Sequence, residues 1–278
     1  MSNRLILIMF YDTKPIGDDV KRIMNFFAAI FSILLFISST VAAQDLLVDE
    51  QLQYPRVRAA KEAYNESLQR LFEAKGVAFP PKDIYLRTFK FDKEMELWAL
   101  NGNTYTLIKT YEICQVSGEL GPKRKQGDYQ IPEGVYQLEH FNPTSNYYLS
   151  LKVNYPNESD RILGNQNSLG GDIFIHGDCV TVGCIPLENE PIKELYWLSV
   201  LTKQQGGNIP IHIFPFRMDA TSLKFFEAIP LFDAEDWQFW KQLVPIYTYF
   251  EKYRKVPNVE VNDRGSYVLT GMNNWAKN

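Results

Sequence analysis

The stretch DIFIHGDCVTVGC, residues 172–184, joins a short apolar strand to a loop that carries two cysteines. The apolar residues 173–175 predict a strand that ends on His176, so the imidazole stands on a rigid platform. Cys184 follows eight residues later, directly after Gly183 and before more apolar chain. A loop of this length can turn back and place the Cys184 sulfur beside the His176 imidazole.

This pairing is typical of a cysteine nucleophile with a histidine base. A free thiol with a pKa of about 8.5 is only about 3% thiolate at pH 7, so it needs a neighbouring base or cation. Gly183 has no Cβ, so it allows a tight bend and the close approach of a substrate carbonyl. We expect the N–H of Cys184 and one N–H from residues 181–183 to form an oxyanion hole.

Three other interpretations of the same residues stay open. Cys184 and His176 could be packed structural residues, because buried cysteine is common. A zinc ion could be bound by the donors His176, Asp178, Cys179 and Cys184, but the C-x4-C spacing has no second ligand pair elsewhere. Cys179 and Cys184 could also form a redox pair. We expect no metal and no cofactor, and we expect His140 and His212 to be structural.

Cys179 has its own prediction. It lies three residues after His176, so we expect its side chain to point inward as a small packed hydrophobe. In an oxidising compartment Cys114 could be its disulfide partner, although the sequence does not give the distance between them.

The hydrophobic periodicity predicts an α+β fold with a mostly antiparallel β catalytic domain. The predicted helices cover 55–75, 191–204, 221–229 and 235–255, the second of them buried and the last interrupted by Pro245. The predicted strands cover 84–91, 95–100, 103–114, 135–141, 147–155, 172–176 and 209–213, with an Asn101-Gly102 hairpin, a long functional loop at 117–134 and a turn at 155–161. We divide the chain into an N-terminal helix and linker (44–80), a catalytic domain (81–216) and a helical C-terminal extension (217–278).

Residues 1–43 are typical of an export signal. The apolar run FFAAIFSILLFI (26–37) follows Lys21 and Arg22 and precedes small residues that end at Ala43. A spanning helix needs about 18 or more apolar residues, so cleavage after Ala43 is favoured over a permanent membrane anchor. Translation could also start at Met24. We expect a periplasmic or cell-envelope protein with no permanent membrane span.

The overall charge excludes one class of partner. Lys and Arg total 29 against 33 Asp and Glu, which gives a net charge of −4. A nucleic-acid binder that neutralises phosphates would show a basic excess. Three cysteines are too few for a disulfide scaffold.

The segment IHGDCVTVGC (175–184) resembles the catalytic motif of the L,D-transpeptidase catalytic domain (YkuD-type) family, and in particular its YafK-like branch. Further segments agree in order over about residues 55–270: SGELGPKRKQGDYQIPEGVY (117–136), YPNESDR (155–161), IHIFPFRM (211–218) and the helix that contains Trp237 and Trp240. The resemblance implies the fold of that family and an exported enzyme that acts on peptidoglycan stem peptides.

The resemblance also implies roles for single residues. Cys184 is the expected nucleophile and His176 its general base. Gly183 shapes the oxyanion turn, and Thr181 is expected to bond near the imidazole or the thiol. Val182 and Pro186 occupy positions where the commoner family pattern has a second His and an Arg or Asn.

The reaction implied is acyl transfer through a thioester. The resemblance implies that Cys184 attacks the carbonyl of an L-centre that is followed by a D-residue, at a diaminopimelate centre of the family's substrates. The acyl group then passes to an amine acceptor, which could belong to a wall-attached protein, or to water. Transpeptidation and L,D-carboxypeptidase or amidase activity both stay open. A non-catalytic peptidoglycan-binding module of the same fold is the alternative.

Binding of the anionic stem peptide requires local cations on an acidic protein. We therefore expect Arg161 and Lys123 to bind substrate carboxylates. We also expect Gly177 to contact the substrate. The alternative for the two cations is a solvated surface charge, or a pair with Asp160 or Asp128.

His176 has no acidic residue at a spacing suited to a triad, so we expect a backbone carbonyl to orient its ring. Activity should then rise with pH near the unperturbed imidazole pKa of about 6.5, unless His176 and Cys184 form an ion pair.

Overall fold

The computed structural model describes Phe26, residues 46–165 and residues 167–270. The predicted export signal, residues 1–43, lies outside the described residues except for Phe26, as does its cleavage site. Within the described ranges, no helix is both long enough and apolar enough to cross a membrane.

The described elements follow the predicted periodicity closely. The helices are α1 (Pro55–Ala74), α2 (Glu158–Leu163), α3 (Asn189–Gln204), α4 (Ala220–Glu227) and α5 (Ala234–Tyr253). The strands are β1 (Ile84–Phe89), β2 (Glu94–Asn101), β3 (Thr104–Glu112), β4 (Gly134–Asn142), β5 (Ser150–Val153), β6 (Phe174–His176), β7 (Ile185–Pro186), β8 (Pro210–Phe214), β9 (Asn258–Val261) and β10 (Tyr267–Thr270).

Strands β1–β8 form one mixed sheet in the order β3-β2-β1-β8-β4-β5-β6-β7. The β1–β8 and β6–β7 pairs are parallel, and the other neighbouring strands are antiparallel. The predicted α+β, mostly antiparallel fold is therefore confirmed. The Asn101-Gly102 hairpin is also present, because Asn101 pairs with Thr104 and Gly102 takes the positive φ of +61° that this tight turn requires.

Four short elements of the described ranges were not predicted, namely α2, β7, β9 and β10. Residues 155–161 were expected to be a turn, but they lead into the short helix α2, which begins at an Asn157 capping box. A helix of six residues is too short to show a periodic pattern. The C-terminal part also contains the β9–β10 hairpin, which was not predicted, alongside the predicted helices.

The apolar core lies on both sides of the sheet. Helix α3 is buried along most of its length, as predicted, and packs against α1. On the C-terminal side, α5 places Trp240 and Leu243 in a second cluster with Phe214 and Phe216. Burial of each large apolar side chain contributes about 1.5–3 kcal/mol, so both clusters hold the sheet rigid beneath the loops.

The strand register sets the positions of the predicted site residues. Asn142, Ser150 and His176 stand side by side on β4, β5 and β6. Ile175 pairs with Ile185 across β6 and β7, so Cys184 lies level with Phe174. Because side chains alternate along a strand, those of Cys184 and His176 emerge on the same face of the sheet.

Candidate active site

His176 and Cys184 line one open cleft of about 500 Å³. The structure therefore brings together the two residues that the sequence singled out. The rest of the lining is mostly neutral and polar, with a few apolar side chains and one carboxylate: Gln115, Asn142, Ser145, Asn146, Tyr147, Ser150, Asp172, Phe174, Val180, Thr181 and Val182.

The His176 imidazole is held in one tautomer. Its Nδ1 lies 2.5 Å from the carbonyl oxygen of Gly177. A carbonyl oxygen only accepts hydrogen bonds, so Nδ1 carries the proton and Nε2 keeps its lone pair. The expected backbone-carbonyl partner is thus confirmed. The Tyr147 ring lies 4.7 Å from the imidazole, centroid to centroid, and fixes its plane.

Burial lowers the pKa of His176 below its ordinary value of 6.5, and the Gly177 carbonyl and the Asp178 charge only partly oppose this effect. The imidazole is therefore neutral at pH 7, with Nε2 ready to accept a proton. The imidazole should therefore titrate below pH 6.5, and not near it as expected from the sequence. The sequence could not predict this shift because it does not show how deeply the ring is buried.

The Cys184 thiol is also neutral at pH 7. Burial raises its pKa above the ordinary 9.0; the Phe174 N–H lowers it, the Asp172 charge raises it and the Lys123 charge lowers it. The thiol donates to the carbonyl oxygen of Asp172 over 3.5 Å. A neutral thiol and a neutral imidazole that line one cleft suit proton transfer during attack, as in general-base catalysis, rather than a stable ion pair.

Gly183 is required by the turn that precedes Cys184. Its φ is +98°, and a Cβ at this position would lie 3.0 Å from the Gln130 carbonyl oxygen. Its N–H donates to Ser117 Oγ over 2.7 Å. The Gly183 N–H therefore already has an acceptor, and the predicted oxyanion hole would use the N–H of Cys184 with that of residue 181 or 182. Ser117, which the sequence did not single out, holds the turn from the neighbouring loop.

Thr181 acts on the same turn. Its hydroxyl donates to the carbonyl oxygen of Cys184 over 2.7 Å. This bond holds the Thr181 side chain at the backbone of Cys184, the residue that carries the thiol, and it restrains the residues between them.

Gly177 is not among the residues that line the cleft. Its N–H donates to the Leu149 carbonyl over 3.1 Å, and a Cβ here would lie 2.9 Å from the Tyr147 carbonyl oxygen. These contacts give Gly177 a positioning role toward His176, and its contact with substrate stays a prediction. Asn189, which was not predicted, supports the next residue by accepting the Asp178 N–H over 3.0 Å.

Lys123 and Arg161 do not line the cleft. Lys123 is buried and its ammonium pairs with Asp128, the alternative that the sequence left open. Burial raises the pKa of Asp128, but bonds from Lys123 and three backbone N–H groups outweigh this effect and lower the pKa overall. Arg161 lies on α2 beside a separate depression. Lys123 acts on Cys184 only through its charge.

Cys114 and Cys179 form a disulfide with a Cα–Cα distance of 5.8 Å. Cys179 is exposed, so the prediction of an inward-pointing, packed side chain is wrong. Its sulfur is committed to Cys114, which removes it from the zinc set and from a redox pair with Cys184, the free cysteine. Within the described ranges, no cluster of three or more His, Cys, Asp or Glu side chains could hold a metal ion.

The prediction that His212 has a structural role is confirmed. It is buried and shares a 2.7 Å hydrogen bond with the Tyr85 hydroxyl. Burial, together with the Arg87 charge, lowers its pKa to about 3, so it stays neutral.

The loop 117–134 is anchored to the core behind the Cys184 turn. The buried Lys90 ammonium donates to Glu133 over 2.8 Å and to the carbonyl oxygens of Gly121 and Ile131. The indole N–H of Trp240 on α5 donates to the other Glu133 oxygen over 2.7 Å. The C-terminal helix thereby fixes the loop that supplies Ser117.

The family model of the L,D-transpeptidase catalytic domain (YkuD) matches residues 90–203. The chain is 36% identical over 190 residues to "Putative L,D-transpeptidase YafK" of Escherichia coli K12, a match that spans 67% of this chain and 74% of that protein.

Two solved structures are similar to this chain at lower sequence identity. The helical cell shape determining protein Pgp2 of Campylobacter jejuni is 19% identical, with a TM-score of 0.40 and coverage of 65% of this chain and 73% of that chain. Bd1075 of Bdellovibrio bacteriovorus is 24% identical, with a TM-score of 0.36 and coverage of 50% of each chain.

Proposed function

This chain belongs to the L,D-transpeptidase catalytic domain family, and on that premise we propose that it is an exported cysteine acyl-transfer enzyme acting on peptidoglycan stem peptides. The observation that carries the proposal is the pairing of His176 and Cys184 in one cleft. The Nδ1 of His176 is occupied by the Gly177 carbonyl, so Nε2 is the nitrogen free to act as a base.

The proposed reaction begins with a neutral thiol. Nε2 of His176 accepts the thiol proton while Cys184 Sγ bonds to the carbonyl carbon of the L-centre. The carbonyl oxygen takes up negative charge next to the N–H of Cys184, which Gly183 and Thr181 hold in place. The carbon–nitrogen bond then breaks, the leaving amine takes the proton from the imidazolium, and a thioester remains on Cys184.

The second half of the reaction releases the acyl group. An amine acceptor or a water molecule gives its proton to Nε2 and attacks the thioester carbonyl, and the thiolate leaves and is protonated again. An amine gives a crosslink or an attachment to the wall, and water gives L,D-carboxypeptidase or amidase activity. The open cleft is accessible to either acceptor.

The test is incubation of the protein that begins at Gln44 with purified muropeptides, followed by mass spectrometry of the products. We expect loss of the terminal D-residue or amine, and no product with Cys184→Ser. A joined pair of peptides would indicate transpeptidation, and a gain of water would indicate hydrolysis. Muropeptide binding without any product from the wild-type protein would favour the non-catalytic binding module.

A further inference from the structure

A second polar depression has a volume of about 450 Å³. It is lined by Glu139, Lys152, Asn154, Tyr155, Pro156, Asn157, Glu158 and Arg161. Ser150 lines the cleft and Lys152 lines the depression. Because these two residues are two apart on β5, their side chains share one face of the sheet.

The strand register gives the distance between this depression and the nucleophile. Lys152 pairs with Phe174 across β5 and β6, and Phe174 lies level with Cys184. Neighbouring strands are about 4.8 Å apart, so the backbone of Lys152 lies about 10 Å from that of Cys184. A substrate whose carbonyl group lies at the Cys184 sulfur can therefore also reach the depression.

The uncharged wall of the depression is held in place by hydrogen bonds. Asn154 Oδ1 accepts the N–H of Gln137 over 2.8 Å. The Asn157 side-chain amide donates to the Val135 carbonyl over 2.9 Å and to the Tyr267 hydroxyl over 2.7 Å. The wall thus needs no reorganisation to receive a ligand, which reduces the entropic cost of binding.

The charged side chains around this wall have no strong ion-pair partners in the described ranges. Lys152 Nζ lies 3.9 Å from an Asp172 carboxylate whose side chain is 86% exposed, which makes a weak pair that a ligand can displace. Among the described residues, no acidic side chain lies within ion-pair distance of Arg161, and no cationic one lies within that distance of Glu139 or Glu158. Both signs of charge are therefore available in one depression.

We propose that this depression binds the zwitterionic amino-acid end group of the substrate, which carries an ammonium and a carboxylate on one carbon. Lys152 and Arg161 bind the carboxylate, and Arg161 offers a two-pronged donor for it. Glu139 and Glu158 bind the ammonium. The inference rests on the proposed function: a diaminopimelate residue with its L-centre carbonyl at Cys184 carries such an end group on its side chain.

The experiment measures binding without turnover. The Cys184→Ala protein is titrated in a calorimeter with a stem tripeptide that ends in diaminopimelate, and with the same peptide amidated at the end-group carboxylate. We expect amidation to weaken binding about tenfold. Adding Lys152→Ala should weaken binding of the free peptide by a similar factor and leave the amidated peptide unchanged.

Arg161→Ala serves as a second variant on the exposed face of α2, with the same expected loss. Arg70→Ala removes an exposed cation on α1 and should change neither affinity. Equal affinity for the two peptides would overturn the inference, as would an equal loss for both peptides in Lys152→Ala. Absence of wild-type turnover with the end-group preference intact would overturn the proposed function alone.

Discussion

Replacing Gly183 with alanine changes the residue directly before the nucleophile in two ways. An alanine at φ +98° is strained, and its Cβ would lie 3.0 Å from the Gln130 carbonyl oxygen. Such backbone strain costs about 1–3 kcal/mol. If the turn rotates to relieve it, the 2.7 Å bond from the Gly183 N–H to Ser117 is lost as well, which costs about 0.5–1.5 kcal/mol more.

These costs predict a lower midpoint of thermal unfolding and a lower turnover. For a domain of this size, a loss of 1 kcal/mol shifts Tm by about 2–4 °C, so the combined loss of about 1.5–4.5 kcal/mol in Gly183→Ala should lower Tm by about 3–18 °C. A rotation that moves Cys184 Sγ by about 1 Å should lower kcat about 100-fold. Differential scanning calorimetry and release of the terminal D-residue from a stem tetrapeptide measure the two effects.

Gly127→Ala is the matched control, since Gly127 has a φ of +76° but nothing within 4 Å of a Cβ. It carries only the backbone cost, so it should lose some stability and keep kcat within about twofold. The reasoning is refuted if Gly183→Ala retains the wild-type kcat, or if the two variants lose kcat equally.

Three further predictions test other parts of the site. The rate of Cys184 alkylation by iodoacetamide should become half-maximal only above pH 9, because burial raises the pKa of the thiol. The value of kcat/KM should rise with pH through a limb below pH 6.5, because burial lowers the pKa of His176 and the neutral imidazole is the active form. A plateau of alkylation below pH 7 would instead indicate a preformed thiolate–imidazolium pair. Removal of the disulfide in the double variant Cys114→Ala/Cys179→Ala should lower the free energy of unfolding, measured in urea, by about 2–5 kcal/mol. The same variant should keep most of the activity, and a loss of activity as complete as in Cys184→Ser would show that the disulfide is required for catalysis. Lys90→Met should lower the free energy of unfolding by about 3–5 kcal/mol, because it leaves the buried Glu133 carboxylate without its cation. The double variant Lys90→Met/Glu133→Gln should recover part of that loss. A free energy of unfolding within about 1 kcal/mol of wild type for Lys90→Met would show that the pair does not anchor the loop.

The sequence predicts the parts of the site that lie close together in the chain. His176 ends a strand, and Gly183-Cys184 follow on one loop, so spacing and strand geometry suffice to place them together. Gly183 also carries a recognisable signal, because a glycine before the nucleophile indicates a tight turn, and the structure gives it a positive φ.

The supporting residues come from distant segments that only the fold brings together. Ser117 precedes Gly183 by 66 residues, and Tyr147 reaches His176 from the segment before β5. Neither residue lies in a local pattern that differs from ordinary loop sequence. Their roles follow from the packing of the loop 117–134 and from strand register, which a single sequence does not reveal.

The cations illustrate the same limit. Charge alone suggested Lys123 and Arg161, but Lys123 is buried against Asp128. The register instead places Lys152 in the row of Phe174 and Cys184. A one-residue change of register would turn Lys152 to the opposite face of the sheet, so the choice among these cations depends on strand pairing.

Intact-mass spectrometry of the rapidly quenched enzyme tests the central claim most directly. During turnover of a stem tetrapeptide, the wild-type protein should gain the mass of the peptide minus its leaving residue, and peptide mapping should locate this adduct on Cys184. Cys184→Ala should gain no mass and form no product. Product formation by Cys184→Ala at the wild-type rate, or an adduct on another residue, would contradict the assignment of Cys184 as the nucleophile.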